Sequence, residues 1–188
     1  MTLPRSFYAR PTVEVAQDLL GNFLVRKTEA GLMSGEIVEV EAYTGTDDPA
    51  SHAFVGMTKR NGVMFGEAGF SYVYFIYGMY HCFNVVTERA EVPGAVLIRS
   101  IIPTDGVNQM VKNRRLNNVK INNVTNGPGK ICRAMNITLT DSGIDLTTSS
   151  SLFIEDRGKR YTQIQSSPRV GIRKATDKLW RYFLKEHI

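Results

Sequence analysis

Apolar and polar residues alternate along much of the chain, and this period of two predicts a protein rich in β-strands. Runs with many aromatic and β-branched residues are typical of strands. They occur at 22–27, 32–43, 70–76, 81–87, 95–102, 152–155 and 161–165. Residues 29–31 supply a turn between the first two runs, and we expect the last two runs to form a hairpin.

Helical patterns are fewer and shorter. Residues 11–20 combine a proline suited to a first helical turn with apolar residues on one face. Thr104 or Asp105 is expected to cap a helix that runs to about Leu116, and Asp48-Pro49 is also typical of a helix start. Because strands dominate, we predict an α+β fold whose curved, largely antiparallel, barrel-like sheet carries short flanking helices.

The composition is that of an ordinary globular protein. The 188 residues are 43% hydrophobic and 22% charged, which suits one domain with its own core. No repeat or linker interrupts the sequence, so we predict a single domain over residues 1–188. No segment reaches the roughly 18 apolar residues of a membrane span, and residues 1–10 lack the apolar run of a signal peptide. We therefore expect a cytoplasmic protein with no membrane partner.

The net charge of +5 is unevenly distributed. Basic residues form three groups, at 112–120, 157–160 and 169–181. Such groups suit a polyanionic partner such as nucleic acid. On charge alone, a solvated basic surface explains them equally well.

The sequence offers no pattern typical of a metal site. Cys82 and Cys132 form no CxxC pair, and inside a cell they should stay reduced. The three histidines, His52, His81 and His187, fit no zinc spacing. We therefore expect neither a metal nor a cofactor.

Residues 37–43 alternate so that Glu39, Glu41 and Tyr43 share one face of a strand. The pattern is typical of a half-buried strand with a wet face, or of a carboxylate beside an aromatic platform in a pocket. Arg99 stands among apolar residues, so it either leaves the sheet at an edge or pairs with Glu41 or Glu39. A neighbouring guanidinium would favour the ionised carboxylate that a general base requires.

Two further segments have both a functional and a structural interpretation. In the tyrosine-rich run 72–80, Gly78 predicts a turn that places Tyr77 at a hairpin tip, where a large side chain can act as a wedge between bases. The alternative is a core strand pair with tyrosine hydroxyls at its rim. After the turn at 126–128, backbone N–H groups near Gly129, together with Lys130, could bind a phosphate, although a simple loop also explains the segment.

Together these stretches resemble the alkyladenine (3-methyladenine) DNA glycosylase family over nearly the whole chain. The segments that carry the resemblance are EVEAY at 39–43 followed by His52, YFIYGMYHCFN at 74–84, GAVLIR at 94–99, GPGK at 127–130 and PRVG at 168–171. The resemblance implies a fold similar to the formyltransferase C-terminal domain. It also implies an enzyme that flips a damaged purine out of duplex DNA and hydrolyses its N-glycosidic bond, which leaves an abasic site.

The resemblance further implies catalytic roles for three residues. Glu41 is the expected general base that activates water. Arg99 and the backbone carbonyl of Val170 are expected to hold that water.

The remaining roles implied by the resemblance concern the flipped base. Tyr43 is expected to stack on one face of the base, with His52 and Tyr74 on the other, and the backbone at His52 to recognise the adenine edge. Asn84 is expected to exclude guanine by crowding its exocyclic amine. Tyr77 is expected to fill the gap that the flipped base leaves in the DNA.

The expected partner is double-stranded DNA that contains damaged purines, bound by a nucleoid-associated monomer. The candidate substrates are 3-methyladenine, 7-methylguanine, hypoxanthine and ethenoadenine. Two other classes stay open at this point. A non-catalytic nucleic-acid-binding domain would not need Glu41 opposite Arg99, and the sparse histidines argue against a metal-dependent hydrolase.

Overall fold

The computed structural model describes residues 1–117 and 120–185. Within them, eight strands form one sheet. They are β1 (Phe23–Thr28), β2 (Gly31–Tyr43), β3 (Ser71–Ile76), β4 (Tyr80–Val86), β5 (Ala95–Asp105), β6 (Leu152–Glu155), β7 (Ile164–Ser167) and β8 (Arg181–Leu184).

The long strand β2 organises the sheet. The main strand order is β3-β4-β5-β2-β1-β6, and every pairing is antiparallel. The first half of β2 pairs with β1, whereas Glu39–Glu41 pair with β8, which also pairs with β7. Two of the three register shifts between β2 and β5 lie at the same place, between Ile37 and Val40, and bulges of this kind increase the local twist of a sheet. The sheet therefore curls into a half-barrel, and the predicted α+β fold is confirmed.

Short helices flank this sheet and close its core. The α-helices are α1 (Arg5–Tyr8), α2 (Thr12–Leu19), α3 (Val107–Asn113) and α4 (Pro128–Ala134). Short 3-10 helices occupy His52–Val55, Gly62–Phe65, Ile121–Asn123 and Leu139–Asp141. Helix α2 packs against β2 and α4 packs against β4, which buries the apolar residues that alternate along both strands. Across residues 1–117 and 120–185, none of the helices combines the length and apolar character needed to cross a bilayer.

Three local predictions are wrong, and the first concerns the helix cap expected at Asp105. Asp105 does not cap a helix, because its carboxylate accepts a hydrogen bond from Ser34 and pairs with Arg157 at 2.9 Å. Strand β5 instead runs to Asp105, and helix α3 begins only after Gly106, whose φ is +67°. An added Cβ at Gly106 would lie 2.3 Å from the Leu32 carbonyl oxygen, so only glycine fits this turn.

The second and third corrections concern the late hairpin and the Asp48-Pro49 segment. Strand β6 pairs with β1, and β7 pairs with β8, a strand that the sequence pattern did not reveal. No helix starts at Asp48. The first helical residue after it is His52, and Ser51 caps that turn by accepting the Ala53 N–H at 3.1 Å.

Candidate active site

A cavity of about 680 Å³ opens where β2, β3, β4 and β5 meet the loop that contains Val170. Every residue that the sequence analysis selected for a site lines it. They are Glu41, Tyr43, His52, Tyr74, Tyr77, Asn84, Arg99, Gly129, Lys130 and Val170. Segments that are far apart in the sequence are thus brought together at one place by the curled sheet.

Glu41 is fully buried on β2, and its carboxylate has three protein contacts. The Val170 backbone N–H donates to Oε1 at 2.7 Å, and Nη1 of Arg99 lies 3.4 Å from the same oxygen. The Tyr43 hydroxyl donates to Oε2 at 2.8 Å. A carboxylate offers about four acceptor positions, so these contacts leave room on Oε2 for one further donor, such as a water.

Arg99 pairs with both carboxylates that the sequence offered as partners. Its Nε donates to Glu39 at 3.0 Å in addition to the Glu41 contact, and Arg181 also binds Glu39. Burial alone would lower the pKa of Arg99, but the charges of Glu41 and Glu39 outweigh burial and raise it. The alternative in which Arg99 leaves the sheet at an edge is therefore wrong.

Several aromatic side chains line the cavity. Tyr43 lies beside Glu41 on β2, while the ring of His52 meets that of Tyr74 edge to face at 4.6 Å. His52 Nδ1 lies 2.9 Å from the Tyr72 hydroxyl. Burial, with a smaller contribution from Arg60, lowers the pKa of His52, so its imidazole is neutral at pH 7.

Asn61 fixes the backbone of His52, and sequence analysis missed it. Its side-chain amide is buried and donates to the His52 carbonyl at 2.8 Å and to the Gly56 carbonyl at 2.9 Å. Its side-chain oxygen accepts the Thr58 N–H at 2.6 Å. Because asparagine is common in polar loops, the sequence alone does not indicate a role for Asn61, and the role becomes visible only in the folded structure.

The hairpin of β3 and β4 places Tyr77 at the mouth of the cavity. Tyr77 and Gly78 both have left-handed backbones, with φ of +54° and +67°, and the Tyr77 side chain is 79% exposed. Deeper in the same hairpin, Asn84 is buried and its amide donates to the Tyr72 carbonyl at 2.9 Å. The structural alternative for this run, with all tyrosines at a core rim, does not hold for Tyr77.

Three basic residues also line the cavity, and together they are called the basic rim. They are Arg114, Lys130 and Arg133. Lys130 Nζ donates to the Asn126 side-chain oxygen at 2.6 Å. Gly129 packs so closely on Tyr80 that an added Cβ would lie 2.9 Å from its ring, which explains why this turn carries a glycine.

Several cations of the basic groups at 157–160 and 169–181 have partners in the fold, whereas Arg173 and Lys174 of the last group are exposed. Arg157, Lys159 and Arg160 pair with carboxylates, among them Glu36 and Asp156. Arg169 is only 4% exposed, because it forms a buried ion pair with Asp48. Within residues 1–117 and 120–185, no group of three histidine, cysteine or carboxylate side chains is placed to hold a metal ion, and His187 lies outside the described residues.

Comparison with known proteins shows the family of the chain. A family model described as methylpurine-DNA glycosylase matches residues 6–188. The chain belongs to this family. Its five resembling segments all contribute to the cavity described above.

Individual relatives support the same assignment across nearly the full length. A protein of Methanocella arvoryzae is 47% identical over 97% of this chain and 92% of its own length. A protein of Alkaliphilus oremlandii is 43% identical over 100% and 97%, and one of Sodalis glossinidius is 48% identical over 96% and 95%. All three are provisionally named 3-methyladenine DNA glycosylase.

Proposed function

We propose that this DNA glycosylase flips alkylated or deaminated purines out of duplex DNA into the cavity and hydrolyses their N-glycosidic bond there. The observation that carries the proposal is the buried Glu41 carboxylate, which stands between a guanidinium and an aromatic wall in a cavity large enough for a purine. The substrate class comprises 3-methyladenine, 7-methylguanine, hypoxanthine and ethenoadenine.

Glu41 acts as the general base. A water bound at Oε2 gives one proton to the carboxylate while its oxygen bonds to C1′ of the sugar, and the C1′–N bond breaks with its electrons leaving on the purine. Arg99 favours the ionised form of Glu41 before the reaction, and the Val170 backbone carbonyl is the proposed second anchor for the water. General-base catalysis contributes about 10²–10⁴ in rate, and positioning of the base contributes further.

The aromatic walls offset the energy needed to remove a base from the stack. Flipping costs a few kcal/mol, and less for a damaged base, while stacking on an aromatic side chain contributes roughly 1–3 kcal/mol. Tyr43 on one side of the base, with His52 and Tyr74 on the other, would supply two such contacts. A cationic alkylated purine gains additional energy over an aromatic face.

Tyr77 and the basic rim are proposed to hold the DNA itself. The exposed Tyr77 ring at the hairpin tip would occupy the space vacated by the flipped base. Gly129, Lys130 and the neighbouring arginines would contact phosphates. A non-catalytic binding domain would have no use for a buried carboxylate paired with Arg99, and this disfavours that alternative.

The proposed function is tested by incubating the protein with duplexes that each carry one lesion. The products are treated with alkali, which cleaves the strand only at an abasic site. We expect cleavage at the damaged purine after alkali and an intact strand without it. Absence of abasic sites with all four lesions at enzyme in excess would refute the proposal, and an otherwise identical undamaged duplex is the control.

Replacing Tyr43 by Phe tests the hydroxyl separately from the ring. The change removes the 2.8 Å hydrogen bond to Glu41 but keeps the stacking surface. A hydrogen bond to a charged group is worth roughly 1.5 kcal/mol or more, so we expect single-turnover excision to slow by about tenfold or more. Affinity for the lesion duplex should stay close to that of the unmodified protein. Equal excision rates for the two proteins would show that the hydroxyl does not orient Glu41.

Replacing Asn84 by Ala tests selection against normal guanine. Guanine differs from hypoxanthine only by its 2-amino group, so a pocket that accepts one and refuses the other needs an obstacle at that position. We expect faster release of guanine and little change in the release of hypoxanthine.

Asn84 also bonds to the Tyr72 carbonyl, so a structural effect must be separated from selectivity. Single-turnover rates on guanine and hypoxanthine duplexes are therefore measured beside the melting temperature. A uniform loss of activity with a lowered melting temperature would assign Asn84 to the fold alone.

A further inference from the structure

A buried ion pair joins the loop at 168–172 to the segment that follows β2. Arg169 and Asp48 both have fully buried side chains, and their contact is bidentate. Nη1 of Arg169 lies 2.5 Å from Oδ2 of Asp48, and Nη2 lies 2.8 Å from Oδ1. Two parallel hydrogen bonds of this kind fix the orientation of both groups.

The same guanidinium touches the part of β2 that carries the proposed chemistry. Nη1 of Arg169 also donates to the Ala42 carbonyl at 2.8 Å, and its Cζ lies 4.6 Å from the centre of the Tyr43 ring. The next residue in the chain, Val170, donates its backbone N–H to Glu41 at 2.7 Å. Arg169 and its neighbour therefore contact Glu41, Ala42 and Tyr43 in succession.

We propose that the Asp48–Arg169 pair is a positioning element that holds the Val170 backbone on Glu41 and supports the back of the Tyr43 platform. The inference rests on the proposed function. Both residues act through others, because their side chains are fully buried and neither lines the cavity. An arginine suits this position because its planar guanidinium donates hydrogen bonds to Asp48 and to the Ala42 carbonyl at the same time. A lysine ammonium is a point charge and would not fix the relative orientation of these groups as closely.

The stability of the fold does not by itself explain why the chain buries this ion pair. Removing two charges from water is costly, and replacing a buried ion pair by uncharged groups of similar size is often neutral or stabilising. The pair instead provides geometry, since its two ends fix a loop and a strand that meet only in the folded protein. A displacement of about 1 Å at a reacting group can cost about 10²-fold in rate.

The test replaces the whole pair, so that no unpaired charge stays buried. The double variant Asp48→Asn/Arg169→Met keeps an acceptor for the Ala50 N–H, which Asp48 now binds at 3.2 Å. The matched control is Arg26→Met/Asp141→Asn, because Arg26 and Asp141 also form a well-shielded 2.7 Å ion pair but do not line the cavity. Melting temperature, affinity for undamaged duplex and single-turnover excision are measured for each protein.

We expect the Asp48→Asn/Arg169→Met variant to excise the lesion roughly 10²-fold more slowly than the control variant. Its affinity for undamaged duplex should be unchanged, because phosphate contacts at the basic rim dominate that affinity. A purely structural role would lower the melting temperature and leave the excision rate of the folded fraction intact. An excision rate within threefold of the control variant would therefore overturn the proposal.

Two further outcomes are covered by additional measurements, namely a double variant that does not fold and a protein that releases no base. If the double variant does not fold, Arg169→Lys keeps the charge but loses the bidentate geometry, and we expect its excision to slow by about tenfold or more; an unchanged rate would contradict the proposal. If the unmodified protein and the Arg26→Met/Asp141→Asn control both release no base, the proposed function itself fails, and the positioning role fails with it.

Discussion

The Glu41→Gln variant should lose base release almost completely while it still binds the lesion duplex. The substitution preserves the shape of the side chain but removes the group that accepts the proton from water. General-base catalysis is worth about 10²–10⁴ in rate, so single-turnover excision should fall by at least that factor. Alkaline cleavage after incubation measures excision, and a mobility shift with the same duplex measures binding.

Glu39→Gln is the matched control for this variant. Glu39 also binds Arg99, at 3.0 Å, but it does not line the cavity. Its loss disturbs the position of Arg99 without removing the base, so we expect a much smaller decrease in excision. Release of base by Glu41→Gln at a rate near that of the unmodified protein would show that Glu41 is not the general base.

Affinity for DNA should fall steeply as salt is raised. A compact enzyme that neutralises about five phosphates should give a log–log slope of about −4 to −5. Between 50 and 200 mM salt this slope corresponds to a loss of roughly 10²–10³ in affinity. The cations that we expect to contribute are those at the mouth of the cavity, including Arg114, Lys130 and Arg133.

Paired variants show which basic group faces the DNA. Lys130→Ala combined with Arg133→Ala should make the slope shallower by about 1.8, because each lost phosphate contact changes it by about 0.9. Arg160→Ala should leave the slope unchanged, because Arg160 is already bonded to Asp156 at 2.6 Å. A slope near zero for the unmodified protein would place the basic groups away from the DNA.

The sequence was sufficient to predict most of the sheet, and it failed where pairing depends on distant partners. Strands β1 to β6 lie close to their predicted bounds because their residues alternate or have strong β propensity. Strand β8 comprises only Arg181–Leu184 and lies in a basic segment, so its sequence pattern does not indicate a strand. Without β8, the pattern predicts a hairpin between β7 and β6, which is wrong.

In the site too, the sequence indicates the residues that line the cavity but not the buried residues that position them. Glu41 and Arg99 stand out in the sequence because they are charged residues among apolar neighbours of a strand. The roles expected for His52, Tyr74 and Val170 follow only from the family resemblance. The sequence does not single out Arg169 or Asp48 in this way. Arg169 lies in a basic segment, and Asp48 precedes a proline. Only the fold reveals that these two side chains are fully buried against each other.

The most direct test of the proposed glycosylase activity is the release of free 3-methyladenine from methylated duplex DNA by the purified protein. Chromatography of the supernatant identifies the free base, and gel analysis of the DNA before and after alkali reports on the backbone. We expect 3-methyladenine to appear in step with alkali-labile sites, and the strand to stay intact until alkali is added. No release of 3-methyladenine above the rate of spontaneous depurination, with enzyme in excess over lesions, would contradict the proposed activity.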